Sequence, residues 1–210
     1  GEDALAAIAR HMRRRRFRRN ETIMHQGDPG DALHIVSSGA VKIVLPSLEG
    51  EEAIIATLRS GDFFGELALL DGAPRSATAV ALESTETLTL PREAFLDMLD
   101  RDKALRESLL AGLAREIRRI TGHVQELHFL DLAGRLASRL ARLARDAEPD
   151  ANEVRLDWPY TQSDLAAMIG GTRQSVNKLL SGLVDRGLVI IEKDTLFIPD
   201  VEALELEAER

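Results

Sequence analysis

The sequence predicts an α+β fold: an N-terminal, jelly-roll-like β-roll, a long central helix and a C-terminal winged helix-turn-helix. Short alternating apolar runs separated by turn residues extend over about residues 17–90 and indicate the roll. A helical apolar repeat follows over residues 105–127, and two short helical patterns joined by Gly170-Gly171 precede a hairpin pattern. The expected domains are residues 1–100 for the roll, 101–130 for the helix and hinge, and 131–210 for the winged helix-turn-helix.

Each strand pattern in the predicted roll is short and is bounded by glycine or polar turn residues. Ser38-Gly39 supplies one turn, and Glu49-Gly50-Glu51 supplies another. Several short strands with regular turns are typical of an antiparallel roll or barrel. The predicted strands cover residues 23–25, 32–36, 41–45, 53–58, 78–82 and 85–90.

An arginine-rich run, residues 13–19, precedes the first of these strands. Runs of this kind occur in nucleic-acid-binding proteins. This run leads into a strand, however, and lies far along the chain from the helix-turn-helix pattern. We therefore interpret it as a solvated face of the roll.

A long amphipathic helix is predicted between the two domains. Its apolar residues recur at spacings of three and four, which is the repeat of a helix–helix seam. One alternative is a helix that lies against its own roll. Its length and flanking charges, such as Arg115 and Arg118, favour pairing with a second copy as a parallel homodimer. The seam runs from Leu105 to Leu127, and its expected dimer interface consists of Leu109, Leu113, Ile117, Ile120 and Val124.

The C-terminal domain contains the signals of a helix-turn-helix. A helix is expected after Asp131, because aspartate caps helix N-termini. Thr161 or Ser163 can cap the next helix, and Gly170-Gly171 allows a tight turn before Thr172 caps another. Residues 187–198 form the pattern of a small hairpin, and a helix-turn-helix with a trailing hairpin is a winged helix.

The second helix of this motif has an apolar stripe that includes Val176, Leu180 and Leu183, and its polar residues lie off that stripe. Polar side chains near the start of such a helix can reach base edges and phosphates. An ordinary helical hairpin with a solvated polar face is the alternative, but the trailing hairpin favours binding to double-stranded DNA. The expected DNA-binding residues are Thr172, Arg173, Gln174, Ser175, Asn177 and Lys178.

Composition excludes several classes of function. The 210 residues contain no cysteine, which excludes disulfides, thiolate zinc sites and cysteine-ligated iron–sulfur clusters. No apolar run is long enough to span a membrane and no secretory pattern is present, so we expect a cytoplasmic protein without a membrane partner. The net charge of −8 weakens non-specific DNA affinity, but specific binding depends on the local charge. We find no catalytic motif and expect neither an enzyme nor a metal site.

A second functional motif lies inside the predicted roll. Gly65 lets the backbone approach an anion, and the short helix expected over residues 66–69 directs N–H groups at it. Arg75 supplies a forked cation for a phosphate, and Ser76 a hydroxyl donor. Glu66 would repel a phosphate, and a ribose hydroxyl is its natural partner. This set suits a sugar phosphate; a structural Glu66–Arg75 pair that closes a loop is the alternative.

The whole chain resembles the CRP/FNR family of bacterial transcription regulators. The resemblance rests on the order of a roll with Gly-Glu-Leu and Arg-Ser, a long helix, a Phe129-Leu130-Asp131 hinge and a winged helix. It implies a homodimer that contacts RNA polymerase, and a phosphate-binding cassette in which Glu66 holds the ribose and Arg75 the cyclic phosphate. The ligand-binding residues expected from motif and resemblance are Gly65, Glu66, Leu67, Ala68, Arg75, Ser76 and Thr121.

The chain departs from the cyclic-AMP branch of the family where the base would bind. That branch presents a threonine to adenine and a serine to the other subunit's nucleotide, and the matching positions here are Ile120 and Thr121. The effector is therefore expected to be cyclic AMP or a related nucleotide. A haem-sensing branch would need a histidine ligand, and ordinary surface or core roles are expected for the histidines present: His11, His25, His34, His123 and His128.

These observations predict a ligand-responsive transcription regulator in which effector binding shifts the long helix and hinge. One alternative is a family member that binds DNA constitutively and has a vestigial nucleotide site. Another is a regulatory module of an enzyme assembly, since the same roll occurs in kinases and channels. The winged helix argues against this second alternative.

Overall fold

The structure, a computed structural model, describes residues 12–47 and 51–209. His11 and the predicted turn residues Glu49 and Gly50 lie outside the described residues. The chain divides into two compact units, Gly1–Arg115 and Glu116–Arg210, and the division falls within the long helix. The architecture confirms the predicted α+β fold class.

The described part of the first unit contains eight strands in two antiparallel four-stranded sheets. The strands are β1 (Arg13–Phe17), β2 (Thr22–Met24), β3 (Ala32–Ser38), β4 (Val41–Pro46), β5 (Glu52–Leu58), β6 (Phe63–Phe64), β7 (Thr78–Ala81) and β8 (Thr85–Pro91). In the first sheet the order is β1-β8-β3-β6, and in the second it is β2-β7-β4-β5.

Strand β1 is the arginine-rich run itself, which the sequence places before the first strand. Its arginines are exposed and only Phe17 is buried. Pairing with β8 along all five residues holds the strand, and Arg14 and Arg16 both form ion pairs with Glu86 on β8. The expected solvated face is therefore present, on an edge strand stabilised by its backbone hydrogen bonds.

The two central strands of the first sheet, β3 and β8, carry buried residues on both faces. On one face, Val36 packs with Val41, Phe64 and Ala79 inside the roll. The other face packs against two helices, α1 (Glu66–Asp71) and α2 (Arg92–Arg101). Helix α2 is not among the predicted elements. The buried cluster on that side consists of Leu33, Leu69, Leu90, Phe95 and Leu99.

The long helix is α3 (Lys103–Phe129), as the apolar repeat predicts. Leu105 and Leu109 at its start pack against the cluster of Leu33, Leu69, Leu90, Phe95 and Leu99, so Leu109 serves the core of its own chain. Further along, the side chains of Ile117, Ile120 and Val124 are 66%, 47% and 48% exposed. The apolar seam that remains open therefore lies beyond Leu109.

The second unit consists of three helices and a three-stranded sheet that follow the hinge, and a closing helix. Asp131 caps the first of these helices, accepting a hydrogen bond from Gly134 N at 2.8 Å. Strand β9 and helix α7 are absent from the sequence prediction, and β9 pairs with the hairpin in the order β10-β11-β9. The elements are α4 (Leu132–Ala147), β9 (Val154–Asp157), α5 (Gln162–Ile169), α6 (Arg173–Asp185), β10 (Ile190–Glu192), β11 (Thr195–Ile198) and α7 (Val201–Ala208).

Helix α4 is the centre of this domain and contacts α5, α6, α7 and β9. Leu136 and Leu140 are fully buried on its inner face. Gly134 allows α7 to approach the helix backbone, because a Cβ there would lie 2.7 Å from the carbonyl oxygen of Ala208. Among residues 12–47 and 51–209, no helix combines the length and the apolar character needed to cross a membrane.

Candidate functional site

Gly65 joins the end of β6 to helix α1 with a backbone that only glycine adopts readily. Its φ angle is 85°, in the left-handed region. A Cβ at this position would lie 2.5 Å from Nη1 of Arg75. Backbone conformation and close approach of a guanidinium therefore both require glycine here.

Arg75 lies against this glycine and is 3% exposed. Its Nη1 donates to the carbonyl oxygen of Gly65 at 2.6 Å, and its Nη2 donates to that of Ala32 at 2.7 Å. Nη2 also pairs with the exposed carboxylate of Asp31 at 3.2 Å. Arg75 thus closes this loop through two backbone carbonyls and the carboxylate of Asp31.

A loop that the sequence did not single out, residues 25–31, holds the segment of Arg75 and Ser76 in place. The backbone N–H of Gly27 donates to Arg75 O at 2.9 Å, and Arg75 N donates to Asp28 O at 2.8 Å. Gln26 Nε2 donates to Ser76 O at 3.1 Å. The two glycines in residues 25–31 indicate a turn, but nothing in the sequence of this loop indicates that it contacts the segment of Arg75 and Ser76.

The structure brings most of the predicted ligand-binding residues together in the first unit. Glu66 is half-buried in the first turn of α1, Leu67 and Ser76 are exposed, and Ala68 is buried. Thr121 belongs to the second unit, and its hydroxyl donates to Ile117 O within its own helix at 2.9 Å. The residues predicted to hold phosphate and ribose, Gly65, Glu66 and Arg75, lie together at the start of α1.

His34 is a buried polar residue beside this cluster that sequence reasoning left in an ordinary role. Its ring stacks on Phe64, the residue before Gly65, with 4.9 Å between ring centroids, and its Nδ1 lies 3.3 Å from the Thr87 hydroxyl. Burial lowers the pKa of His34 from 6.5 to about 4, with the positive charges of Arg75 and Arg15 adding to the effect. His34 is therefore neutral at physiological pH.

The helix-turn-helix begins with a complete capping box. Thr161 Oγ1 accepts from Asp164 N at 3.1 Å, and Asp164 Oδ2 accepts from Thr161 N at 2.9 Å. Thr161, and not Ser163, is thus the cap of α5. Gly170, with a φ angle of 69°, ends that helix, and Thr172 caps α6 by accepting from Ser175 N at 3.1 Å.

Helix α6 divides cleanly into a buried and an exposed side. Val176, Leu180 and Leu183 are buried. The polar residues at spacings of one and four form one exposed face, and Ser175 is half-buried beside them. The exposed residues of this face are Thr172, Arg173, Gln174, Asn177 and Lys178. All six predicted DNA-binding residues thus lie together at the start of one helix.

One contact of that face was not predicted. Nε2 of Gln162, the first residue of α5, donates to Oδ1 of Asn177 at 2.7 Å. In the hairpin, Arg155 of β9 pairs with Glu192 at 3.1 Å and lies over the ring of Phe197. The first contact links α5 to α6, and the contacts of Arg155 link β9 to both strands of the hairpin.

A polar cluster connects the end of α3 with α4. Glu126 accepts from the Ser138 hydroxyl at 2.8 Å and forms an ion pair with Arg142. His123 Nδ1 lies 3.5 Å from the same carboxylate. Arg135 donates to the carbonyl oxygen of Ile169 at 2.9 Å, which ties α4 to the end of α5. In the part of the chain that the structure describes, no cluster of three histidine, aspartate or glutamate residues could hold a metal ion.

Comparison with protein families matches both halves of the chain. Residues 14–102 match the cyclic nucleotide-binding domain family. Residues 134–207 match the Crp-like helix-turn-helix domain family. The first match contains the Gly65–Arg75 cluster, and the second contains the capping box and α6.

Whole proteins with similar sequences cover nearly the full chain. A Mycobacterium tuberculosis protein named CRP-like cAMP-activated global transcriptional regulator is 32% identical over 202 residues, which are 96% of this chain and 90% of that protein. The cyclic AMP receptor protein of Thermus thermophilus is 34% identical over 195 residues, 93% of this chain and 88% of that protein. The structure of FixK2 from Bradyrhizobium japonicum matches with a TM-score of 0.82 at 22% identity over 93% of this chain and 96% of that one, a likeness of fold.

Proposed function

Because the chain belongs to the CRP/FNR family of transcription regulators, we propose that it binds promoter DNA as a homodimer under the control of a nucleotide in its β-roll. The effector that we propose is cyclic AMP or a related nucleotide. Contact with RNA polymerase and a cytoplasmic location are parts of the same proposal, as is the absence of catalytic activity.

The observation that carries the proposal is the arrangement of Arg75 against Gly65. A guanidinium has five N–H donors, and three of them form the bonds to Gly65, Ala32 and Asp31. Within residues 12–47 and 51–209 the other two donors form no hydrogen bond, so a phosphate can bind them without breaking those three bonds. The protein therefore fixes the cation before the anion arrives, which lowers the entropy cost of binding.

The other cassette residues support a ribose phosphate as the ligand. Glu66 stands in the first turn of α1, where its carboxylate can accept from a ribose hydroxyl. The relatives from Mycobacterium tuberculosis and Thermus thermophilus carry cyclic AMP in their names. Ile120 offers no hydroxyl to a base, so a base near it would make only weaker contacts. We therefore propose a class of nucleotide rather than one base.

Assembly is proposed from the open seam on α3. Ile117, Ile120 and Val124 are apolar side chains exposed on one face of a 27-residue helix. Burial of such side chains against a second copy gains roughly 25 cal/mol for each Å² of apolar surface. A symmetric pair also supplies two copies of α6 for two half-sites.

Two measurements test the proposed function. Isothermal titration calorimetry of nucleotide-stripped protein with cyclic AMP separates an effector-responsive regulator from a constitutive one with a vestigial site, which would give no heat of binding. A gel-shift assay on random double-stranded DNA, with and without cyclic AMP, separates both from a regulatory module of an enzyme assembly, which would leave the DNA unshifted in either condition.

A further inference from the structure

The bond between Gln162 and Asn177 joins the two helices of the helix-turn-helix through their polar side chains. The acceptor, Asn177, lies on the exposed face of α6, four residues after Arg173. The donor, Gln162, is half-buried at the first position of α5. Their separation of 2.7 Å is short for a hydrogen bond between neutral amides.

This bond decides which way the Asn177 amide faces. An asparagine side chain has an oxygen and an NH2 group of nearly the same shape, so an unrestrained amide presents either end. Donation from Gln162 Nε2 holds the oxygen of Asn177 toward α5. The oxygen keeps a second lone pair and the NH2 group keeps both hydrogens.

The remaining lone pair and NH2 group of Asn177 match the hydrogen-bonding pattern of one base, adenine. Adenine offers an N6 donor and an N7 acceptor in the major groove, and an asparagine amide can bind both at once. A side chain held in one orientation loses less rotamer entropy when it makes that contact. Restraint by Gln162 therefore favours a two-bond contact over the single bonds that a rotating amide would make.

We propose that Gln162 is a positioning residue, which presents Asn177 to an adenine in the half-site that α6 reads. This inference rests on the proposed function, in which α6 enters the major groove. Four helical residues span about 6 Å, so the adenine lies within about two base pairs of the base that Arg173 reads. Gln162 itself stands where the first helix of such a motif crosses the DNA backbone, and the second hydrogen of its Nε2 can donate to a phosphate.

The test is a selection from random DNA, carried out with and without cyclic AMP, with four proteins: wild type, Asn177→Ala, Gln162→Met and the double variant. Methionine keeps the length of glutamine and removes its donor. We expect the wild type to select adenine at one position of each half-site, by about 5- to 150-fold over the other bases. Asn177→Ala should lose this preference. Gln162→Met should lose most of it at the same position, and the double variant should lose no more than Asn177→Ala alone.

Ser163→Ala is the matched control, because Ser163 is exposed beside Gln162 and does not cap α5. It should select the wild-type motif. Far-ultraviolet circular dichroism and thermal unfolding of every variant verify that α5 and α6 remain folded. Should Gln162→Met unfold, Gln162→Ala replaces it with the same expectation.

The outcomes separate this inference from the proposed function. If the wild type selects no motif, the proposed function fails. If it selects one and Gln162→Met selects the same one, the positioning role is wrong. A uniform loss of affinity with an unchanged motif also overturns it, since a phosphate contact alone would produce that result.

Discussion

Nη1 of Arg75 donates to the carbonyl oxygen of Gly65 at 2.6 Å, across a ten-residue segment that contains helix α1. The glycine and the arginine of the predicted phosphate motif are therefore joined directly by a hydrogen bond. Changing either one alters the position of the other. The first prediction follows from this coupling.

Replacement of Arg75 by leucine is expected to abolish nucleotide binding and to lower the free energy of unfolding. The carbonyl oxygens of Gly65 and Ala32 lose their donor, and each unsatisfied buried group costs roughly 1–3 kcal/mol. Calorimetry and urea unfolding measure the two effects. Asp31→Asn is the control: its carboxylate is exposed, so stability should fall by less than about 1 kcal/mol. Unchanged affinity in Arg75→Leu would show that the ligand binds elsewhere.

Glu66→Ala is expected to weaken the binding of a ribonucleotide more than the binding of its 2′-deoxy counterpart. A hydrogen bond to a charged carboxylate contributes roughly 1.5–3 kcal/mol, and the deoxy compound lacks its donor. The measurement is the ratio of the two dissociation constants for the wild type and the variant. Equal losses for both nucleotides would exclude a ribose contact.

A charge at Ile117 is expected to prevent dimer formation. Ile117→Glu would bury an unpaired carboxylate between two helices, which costs several kcal/mol. Light scattering should report a monomer, and specific DNA binding should be lost. Lys103→Glu changes the charge by two units at the exposed start of the same helix, before the seam begins at Leu105, and should remain dimeric. A dimer of Ile117→Glu would place the interface on another surface.

Gln174→Glu is expected to create a cytosine preference at the base pair that this side chain faces. Glutamine donates and accepts and so suits adenine or several bases, whereas glutamate only accepts and suits the cytosine amine. Gln174 is exposed on α6 next to Arg173, whose guanine contact should persist in both proteins. Identical selected motifs for the wild type and the variant would mean that residue 174 does not read bases.

His34 is expected to make the fold less stable as the pH falls from about 6.5 to about 4. Burial keeps the pKa of His34 near 4 in the folded protein, while the unfolded chain takes up its proton near 6.5. The unfolded state therefore binds more protons in this window, and up to about 3 kcal/mol of stability is lost across it. His34→Phe keeps a ring against Phe64 and should flatten this slope. Parallel curves of unfolding free energy against pH would contradict the assignment.

The sequence predicts the fold well where local signals are strong. Thr161, Thr172 and Asp131 cap the helices expected of them. The sequence does not predict β1 as a strand, because four consecutive arginines lack apolar alternation and the strand depends on backbone pairing with β8. Strand β9 does alternate apolar and polar residues, but its four residues are too few to predict a strand without the pairing with β11.

In the candidate site, too, residues in a local motif can be predicted from the sequence, whereas residues that depend on distant partners cannot. Gly65 and Arg75 are predictable from a short motif, because the chemistry of phosphate binding requires both residue types. Asp31, His34 and Gln162 are not, since each acquires its role from a partner 15 to 53 residues away. Only the folded chain brings these pairs together.

Gly134 has a consequence for motion. Because the approach of Ala208 leaves no space for a side chain there, α4 and α7 touch at the level of their backbones. Helix α4 also contacts α5, α6 and β9, so it cannot turn about its own axis within the domain. A rotation of α4 about Asp131 would therefore carry α5, α6, α7 and β9 with it as one rigid body.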